Sequence, residues 1–197
     1  LVFVDEGHKY FVGDRELLSV SVVTHLFKEH FDSETKAVET SERNWDNPNS
    51  KYYRMTPEEI LKQWKDKSVN SCVTGTYIHE FGESCFYYMT GQYDKILPEF
   101  KCRLTNDGGF ESRSPKEDAA VRFYQDIPKC MVPILAETKV YDANLGYAGT
   151  FDILFYYDAT IEGKDDIKSG LMIMDWKTNE DLYKNFKSKT LYEPFNE

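Results

Sequence analysis

Two short apolar runs, Thr150–Tyr157 and Leu171–Trp176, constrain this chain more than any other feature. Both are rich in aromatic and aliphatic residues, and a polar insert from Asp158 to Gly170 separates them. That pattern predicts a β-hairpin. Side chains alternate faces along a strand, so Asp175 and Lys177 share one face and Trp176 takes the other. Asp152 lies near the start of the first run, and an antiparallel return places the end of the second run beside it. A further run, Ile134–Tyr141, can pair with the hairpin and supply Glu137. Three acids and a lysine are therefore expected together at one end of a small sheet.

Such a grouping has a chemical use. Hard divalent cations such as Mg²⁺ take oxygen ligands, often a few carboxylates completed by water and substrate phosphate. An ion so held can activate water and stabilise charge on a phosphoryl oxygen. A nearby lysine can orient the water or neutralise developing charge. The plainer alternative is a salt bridge among Asp152, Asp175 and Lys177 at a strand end. Carboxylates that terminate apolar strands are poorly solvated and need compensation, which favours the metal reading.

The order of these pieces also resembles a known family. Gly149-Thr150-Phe151-Asp152 followed by Asp175-Trp176-Lys177-Thr178 resembles the second and third motifs of the PD-(D/E)XK nuclease superfamily. The RecB-like branch, with its phage-type exonucleases, carries an upstream pattern similar to G-x-x-x-H-x-x-x-E. Gly75, His79 and Glu83 match it, within a helix expected over Val73–Met89. The resemblance spans roughly residues 73–178. It implies a single α/β domain over 1–197: a restriction-endonuclease-like mixed central sheet flanked by helices, with helical or loop insertions near 30–70 and 90–115.

It also implies a divalent-metal-dependent deoxyribonuclease, an exonuclease of recombination, repair or replication. Asp152, Asp175, Lys177 and Glu137 would be catalytic. His79, Asp152, Asp175 and the backbone carbonyl of Trp176 would bind Mg²⁺ or Mn²⁺. Glu83 either joins the site, orients His79 or pairs with a lysine, and Glu137 is either a metal-proximal acid or a partner of Lys139. DNA, single- or double-stranded, would be the substrate, with a protein partner in a recombination or replication complex. RecB-like nucleases follow the D-x-K strand with a Q-x-x-x-Y helix. Here Tyr192 stands without the glutamine, so either a C-terminal segment after 197 is missing from this chain or the pattern has been lost or replaced. The rival reading is a catalytically degenerate module of the same fold that binds nucleic acid or a protein.

Composition bears on this in three ways. The net charge of −10 weighs against tight nonspecific DNA binding, which usually needs a basic surface. Lys177, Lys184, Lys187 and Lys189 supply either a local basic stripe or a solvated face. Cys72, Cys85, Cys102 and Cys130 form no C-x-x-C pair and do not cluster after the D-x-K motif, so no iron–sulfur cluster is expected. Scattered thiols, mostly buried, together with no signal pattern and no apolar run of membrane length, predict a soluble cytoplasmic protein, phage or viral in origin by the resemblance.

The remaining chain supplies local signals. Residues 1–13 predict a hairpin turning at Glu6-Gly7, and Ser19 or Ser21 caps the helix that follows. His8 and His25 have no ligand-like spacing and read as surface or cap residues. Thr56-Pro57-Glu58-Glu59 is a helix start, with Ile60, Leu61 and Trp64 as its apolar stripe. Trp45, Tyr52, Tyr53 and Arg54 offer an alternative role, a surface on which single-stranded bases stack. Asn106-Asp107-Gly108-Gly109 is a turn, and Ser114-Pro115 opens a helix whose inner face is Ala119, Ala120, Phe123 and Tyr124.

Overall fold

The computed structural model of the chain describes residues 1–4, 6–27, 31–106, 108–163 and 168–178. Lys184, Lys187, Lys189 and Tyr192 lie outside the described residues. Two compact units separate: Leu1–Phe27 with Tyr77–Glu197, and Lys28–Thr76.

The first unit opens with strands β1 (Val2–Val4) and β2 (Lys9–Val12), paired antiparallel. Gly7 and His8 turn the chain between them at positive φ, where the sequence predicts the turn. A third strand, β3 (Arg15–Ser19), follows and was not expected, because Arg15-Glu16-Leu17 carries too few apolar residues to signal one. Ser19 then occupies the N-cap position of α1 (Val20–His25), although its hydroxyl bonds Ser21 rather than the helix backbone.

Helix α2 is Ser33–Asn44, capped by Asp32, and helix α3 is Pro57–Met89. Thr56 and Glu59 form a reciprocal capping box, Glu59 N to Thr56 Oγ1 at 3.3 Å and Thr56 N to Glu59 Oε2 at 2.8 Å. The sequence suggests two helices here, but α3 is one helix of 33 residues. The polar stretch around Ser68–Ser71 contains no proline, and a single Gly75 costs a helix only about 1 kcal/mol. The expected terminator, Thr90-Gly91, is where it ends.

A 3₁₀ turn (Tyr93–Lys95), α4 (Pro98–Lys101) and a small hairpin of β4 (Leu104–Thr105) and β5 (Gly109–Phe110) follow. Helix α5 (Pro115–Gln125) is capped by Ser114, whose Oγ accepts from Glu117 N. Ala120 and Tyr124 face inward as expected, whereas Ala119 is exposed and Glu117 takes a buried position.

The long strands are β6 (Met131–Asp142) and β7 (Tyr147–Tyr157); α6 (Ala159–Glu162) and β8 (Gly170–Met174) complete the described chain. β6 and β8 flank β7 antiparallel, and β3 joins it in parallel through Leu18↔Tyr147 and Ser19↔Ala148. The result is a mixed six-stranded sheet flanked by helices. β8 is shorter than the expected Leu171–Trp176 and stops at Met174, opposite Ile153.

Phe81, Cys85 and Phe86 of α3 pack with Ala120 and Tyr124 of α5 and with Ile153 and Phe155 of β7. Fully burying a side chain of phenylalanine size contributes about 1.5–3 kcal/mol, so this layer fixes α3 on the sheet. A smaller cluster of Tyr10, Leu17 and Ala148 ties the first hairpin to the start of β7.

In the second unit Ala37 and Ile60 are buried, and Trp64 donates its indole N–H to the Tyr52 hydroxyl at 2.9 Å. Tyr52 is thus engaged in packing, while Trp45 and Tyr53 remain exposed. Of the cysteines, Cys85 and Cys130 are buried, but Cys72 and Cys102 are exposed, against expectation. Among the described residues no helix is long and apolar enough to cross a membrane.

Candidate metal centre

Three elements deliver the site. α3 presents His79 and Glu83 one turn apart on the same face, because Ile78, Phe81, Cys85 and Phe86 hold the opposite side in the core. β6 presents Glu137 and β7 presents Asp152, near each other because Ala136 pairs Ile153 and Thr138 pairs Phe151. Glu137 adopts φ +42°, a left-handed conformation inside a strand, where a non-glycine residue pays a strain cost.

His79 Nδ1 stands 3.3 Å from Glu137 Oε1 and 3.7 Å from Asp152 Oδ1. Ligand atoms of His79, Glu137 and Asp152 all lie within 4.8 Å of one another, on half-buried side chains. Asp152 uses its other oxygen, Oδ2, to accept the Trp176 backbone N–H at 2.5 Å. Oδ1 therefore remains on the His79 side.

The electrostatics follow from this crowding. The hydrogen bond to Glu137 raises the His79 pKa; burial opposes it, and the charges of Asp152, Glu137 and Asp175 add to the rise. Burial raises the Asp152 carboxyl, against the lowering by the Trp176 N–H and His79. Glu83 is likewise pushed up by burial, while the hydrogen bond from Tyr87 OH at 2.6 Å lowers it. Acids crowded in a partly dry site call for a cation, and here His79 is placed to supply that charge when protonated.

The donor set fits a divalent ion. Two carboxylate oxygens and an imidazole nitrogen suit Mn²⁺, and Mg²⁺ is held in similar sites through one or two carboxylates completed by water. Glu137, Asp152 and His79 are thus brought together. Asp175 and Lys177 are not part of this trio: they form an ion pair with each other, and both are more than half exposed. Trp176 donates its backbone N–H to Asp152.

Two residues that hold the site, Gly82 and Lys116, were not singled out from the sequence. The Trp176 indole packs edge-on to Phe123, with ring centroids 5.0 Å apart, and lies near Tyr124 at 6.0 Å. The ring also meets α3 at Gly82, where a Cβ would come within 3.3 Å of it. Lys116 of α5 donates to the Thr178 carbonyl at 2.7 Å. Trp176 and Thr178 are thereby clamped, and the exposed Asp175 and Lys177 side chains are carried on a fixed backbone. A lone glycine inside a helical pattern points to close packing, so Gly82 was the one available signal. No family model, curated protein or solved structure matches this chain.

Proposed function

We propose that this chain is a divalent-metal-dependent DNA nuclease of the PD-(D/E)XK kind, with a restriction-endonuclease-like sheet and the RecB-like order of motifs. The observation that carries this reading is the convergence of His79, Glu137 and Asp152 from a helix and two strands, with the Asp175-Trp176-Lys177 segment docked on Asp152 through a backbone N–H. Mg²⁺ or Mn²⁺, when bound, supplies Lewis-acid charge at the scissile phosphate and lowers the pKa of water.

The chain's own residues do the rest. Asp152, Glu137 and neutral His79 would hold the ion. Trp176 N–H fixes the rotamer of Asp152 by occupying Oδ2. Lys177, released from Asp175, orients the attacking water and neutralises charge on the phosphate. The water oxygen forms a bond to phosphorus, the P–O bond to the leaving group breaks, and the water's proton passes to the departing oxygen. DNA ends generated in recombination, repair or replication are the substrates, inside a cell where the exposed thiols of Cys72 and Cys102 stay reduced.

One observation favours the non-catalytic alternative: Lys177 and Asp175 neutralise each other outside the trio. End-labelled single- and double-stranded DNA, incubated with Mn²⁺, Mg²⁺ or EDTA, separates the two. Metal-dependent cleavage by the wild type that is lost in Lys177→Ala, with Mn²⁺ binding retained in both, supports the nuclease. Metal bound without cleavage by the wild type sinks it in favour of a binding module.

A further inference from the structure

Two apolar helix faces meet near the C-terminal end of α3 without closing on each other. Cys85, Tyr88 and Met89 stand at i, i+3 and i+4 on α3, and Val121 and Tyr124 at i and i+3 on α5. The β4–β5 hairpin lies across them, but it brings glycine where a side chain would be needed to fill the gap. Gly108 holds φ +89°, a conformation that calls for glycine, and Gly109 follows it. A cavity of about 170 Å³ remains, with Phe110 in its wall. It lies within the first unit and is lined by no member of the metal trio.

The chemistry of the lining is uniform except at one point. None of the lining residues is acidic or basic, and burial pushes the Cys85 thiol up to about 12, so it stays protonated. Tyr124 is the exception. It is only 8% exposed, and its hydroxyl has no hydrogen-bond partner among the described residues. A buried polar group left unpaired is costly, so a ligand that pairs it gains affinity. An apolar cavity of about 150 Å³ takes a benzene ring. This one therefore has room for a single substituted ring, disfavours a charge, and holds one hydroxyl that can recognise a polar substituent.

We infer that this cavity binds a neutral one-ring aromatic molecule with a single hydrogen-bonding substituent, of the phenol class, and that the bound molecule acts on the metal centre from outside it. The ring lies among Tyr88, Met89, Phe110 and Val121, and its substituent pairs with the Tyr124 hydroxyl. Tyr124 is also the link to the centre. Its ring centroid stands 6.0 Å from that of Trp176, whose backbone N–H bonds Asp152 Oδ2 at 2.5 Å. A ligand beside Tyr124 removes space into which that ring can turn, which fixes Trp176 and through it the Asp152 carboxylate. A preorganised carboxylate binds a cation more tightly, so the ligand is an activator. The coupling, unlike the cavity, rests on the reading of the trio as a metal centre.

Phenol, toluene and Mn²⁺ are the probes, and the full chain is the protein. In NMR titrations the wild type should bind phenol at least as tightly as toluene. Tyr124→Phe keeps the ring and removes the hydroxyl, so it should keep toluene and weaken phenol about tenfold. Val121→Phe and, from the other helix, Met89→Trp should fill the cavity and abolish both, with circular dichroism unchanged. Calorimetric Mn²⁺ affinity should rise roughly fivefold in saturating phenol, and phenol affinity by the same factor in saturating Mn²⁺. No binding by the wild type, or binding that survives in both filled variants, overturns the site. A phenol-to-toluene ratio that Tyr124→Phe leaves unchanged overturns the recognition of a polar substituent. Phenol bound with no change in Mn²⁺ affinity overturns the coupling. A wild type that binds phenol but no Mn²⁺ removes the metal centre and the coupling together, and upholds the binding site.

Discussion

Asp152 is the residue on which the site turns, because one oxygen serves the trio and the other holds the Trp176 N–H. Asp152→Asn keeps the shape and removes the charge, so Mn²⁺ affinity should fall by at least about tenfold. Asp175 is exposed and paired to Lys177, outside the trio, so Asp175→Ala should weaken Mn²⁺ binding far less. Titration calorimetry on the two variants decides the matter; equal losses would return Asp175 to the ligand set. The strained φ of Glu137 belongs to the same scale. A backbone held there in mid-strand carries a cost that the surrounding pairing of β6 with β7 must meet.

At the scale of elements, α5 and α3 grip the segment that follows β8. Trp176 packs against Gly82, Phe123 and Tyr124. At 3.3 Å a Cβ on residue 82 forces the ring to give by a few tenths of an ångström, and a branched side chain forces more. Gly82→Val should therefore cost about 1–3 kcal/mol in urea unfolding, the range for overpacking, with Gly82→Ala costing less. An unchanged midpoint for Gly82→Val would show that Trp176 yields freely and does not anchor the segment. Polar chemistry anchors α5 itself. Arg103 and Glu117, both almost fully buried, form a two-pronged pair at 2.8 and 3.2 Å, and Tyr77 OH donates to Glu117 Oε1 at 2.8 Å. Arg113 N–H also bonds Glu117, so the loop from β5, α5 and the middle of α3 meet on one carboxylate.

That carboxylate gives the whole molecule an acid limit. Burial pushes the Glu117 pKa up, but the hydrogen bonds from Arg103, Arg113 N–H and Tyr77 outweigh it and hold it below the usual glutamate range. A carboxyl depressed on folding stabilises fully above its unfolded pKa and loses that contribution as pH falls through the folded value. Urea midpoints measured from about pH 7 down to about pH 3 should fall steeply for the wild type at the acid end, with a flatter and lower curve for Glu117→Gln. Parallel curves would mean that Glu117 does not set the acid response.

The sequence by itself determined what depends on neighbours along the chain. Alternation placed Trp176 opposite Asp175 and Lys177, and apolar spacing turned His79 and Glu83 to one face of α3. The turn at Gly7, the Thr56 cap and the Ser114 cap were equally legible, because each depends on residues a few positions apart. Tertiary structure decided the rest. Which acid joins His79 depends on the register of β6 against β7 and on an unusual φ at Glu137, and periodicity carries neither. The end of β8 at Met174, the buried Arg103–Glu117 pair and the seat of Trp176 on Gly82 depend on groups far apart in sequence. Local pattern sets which face a side chain takes; only packing and pairing over long loops set what it meets there.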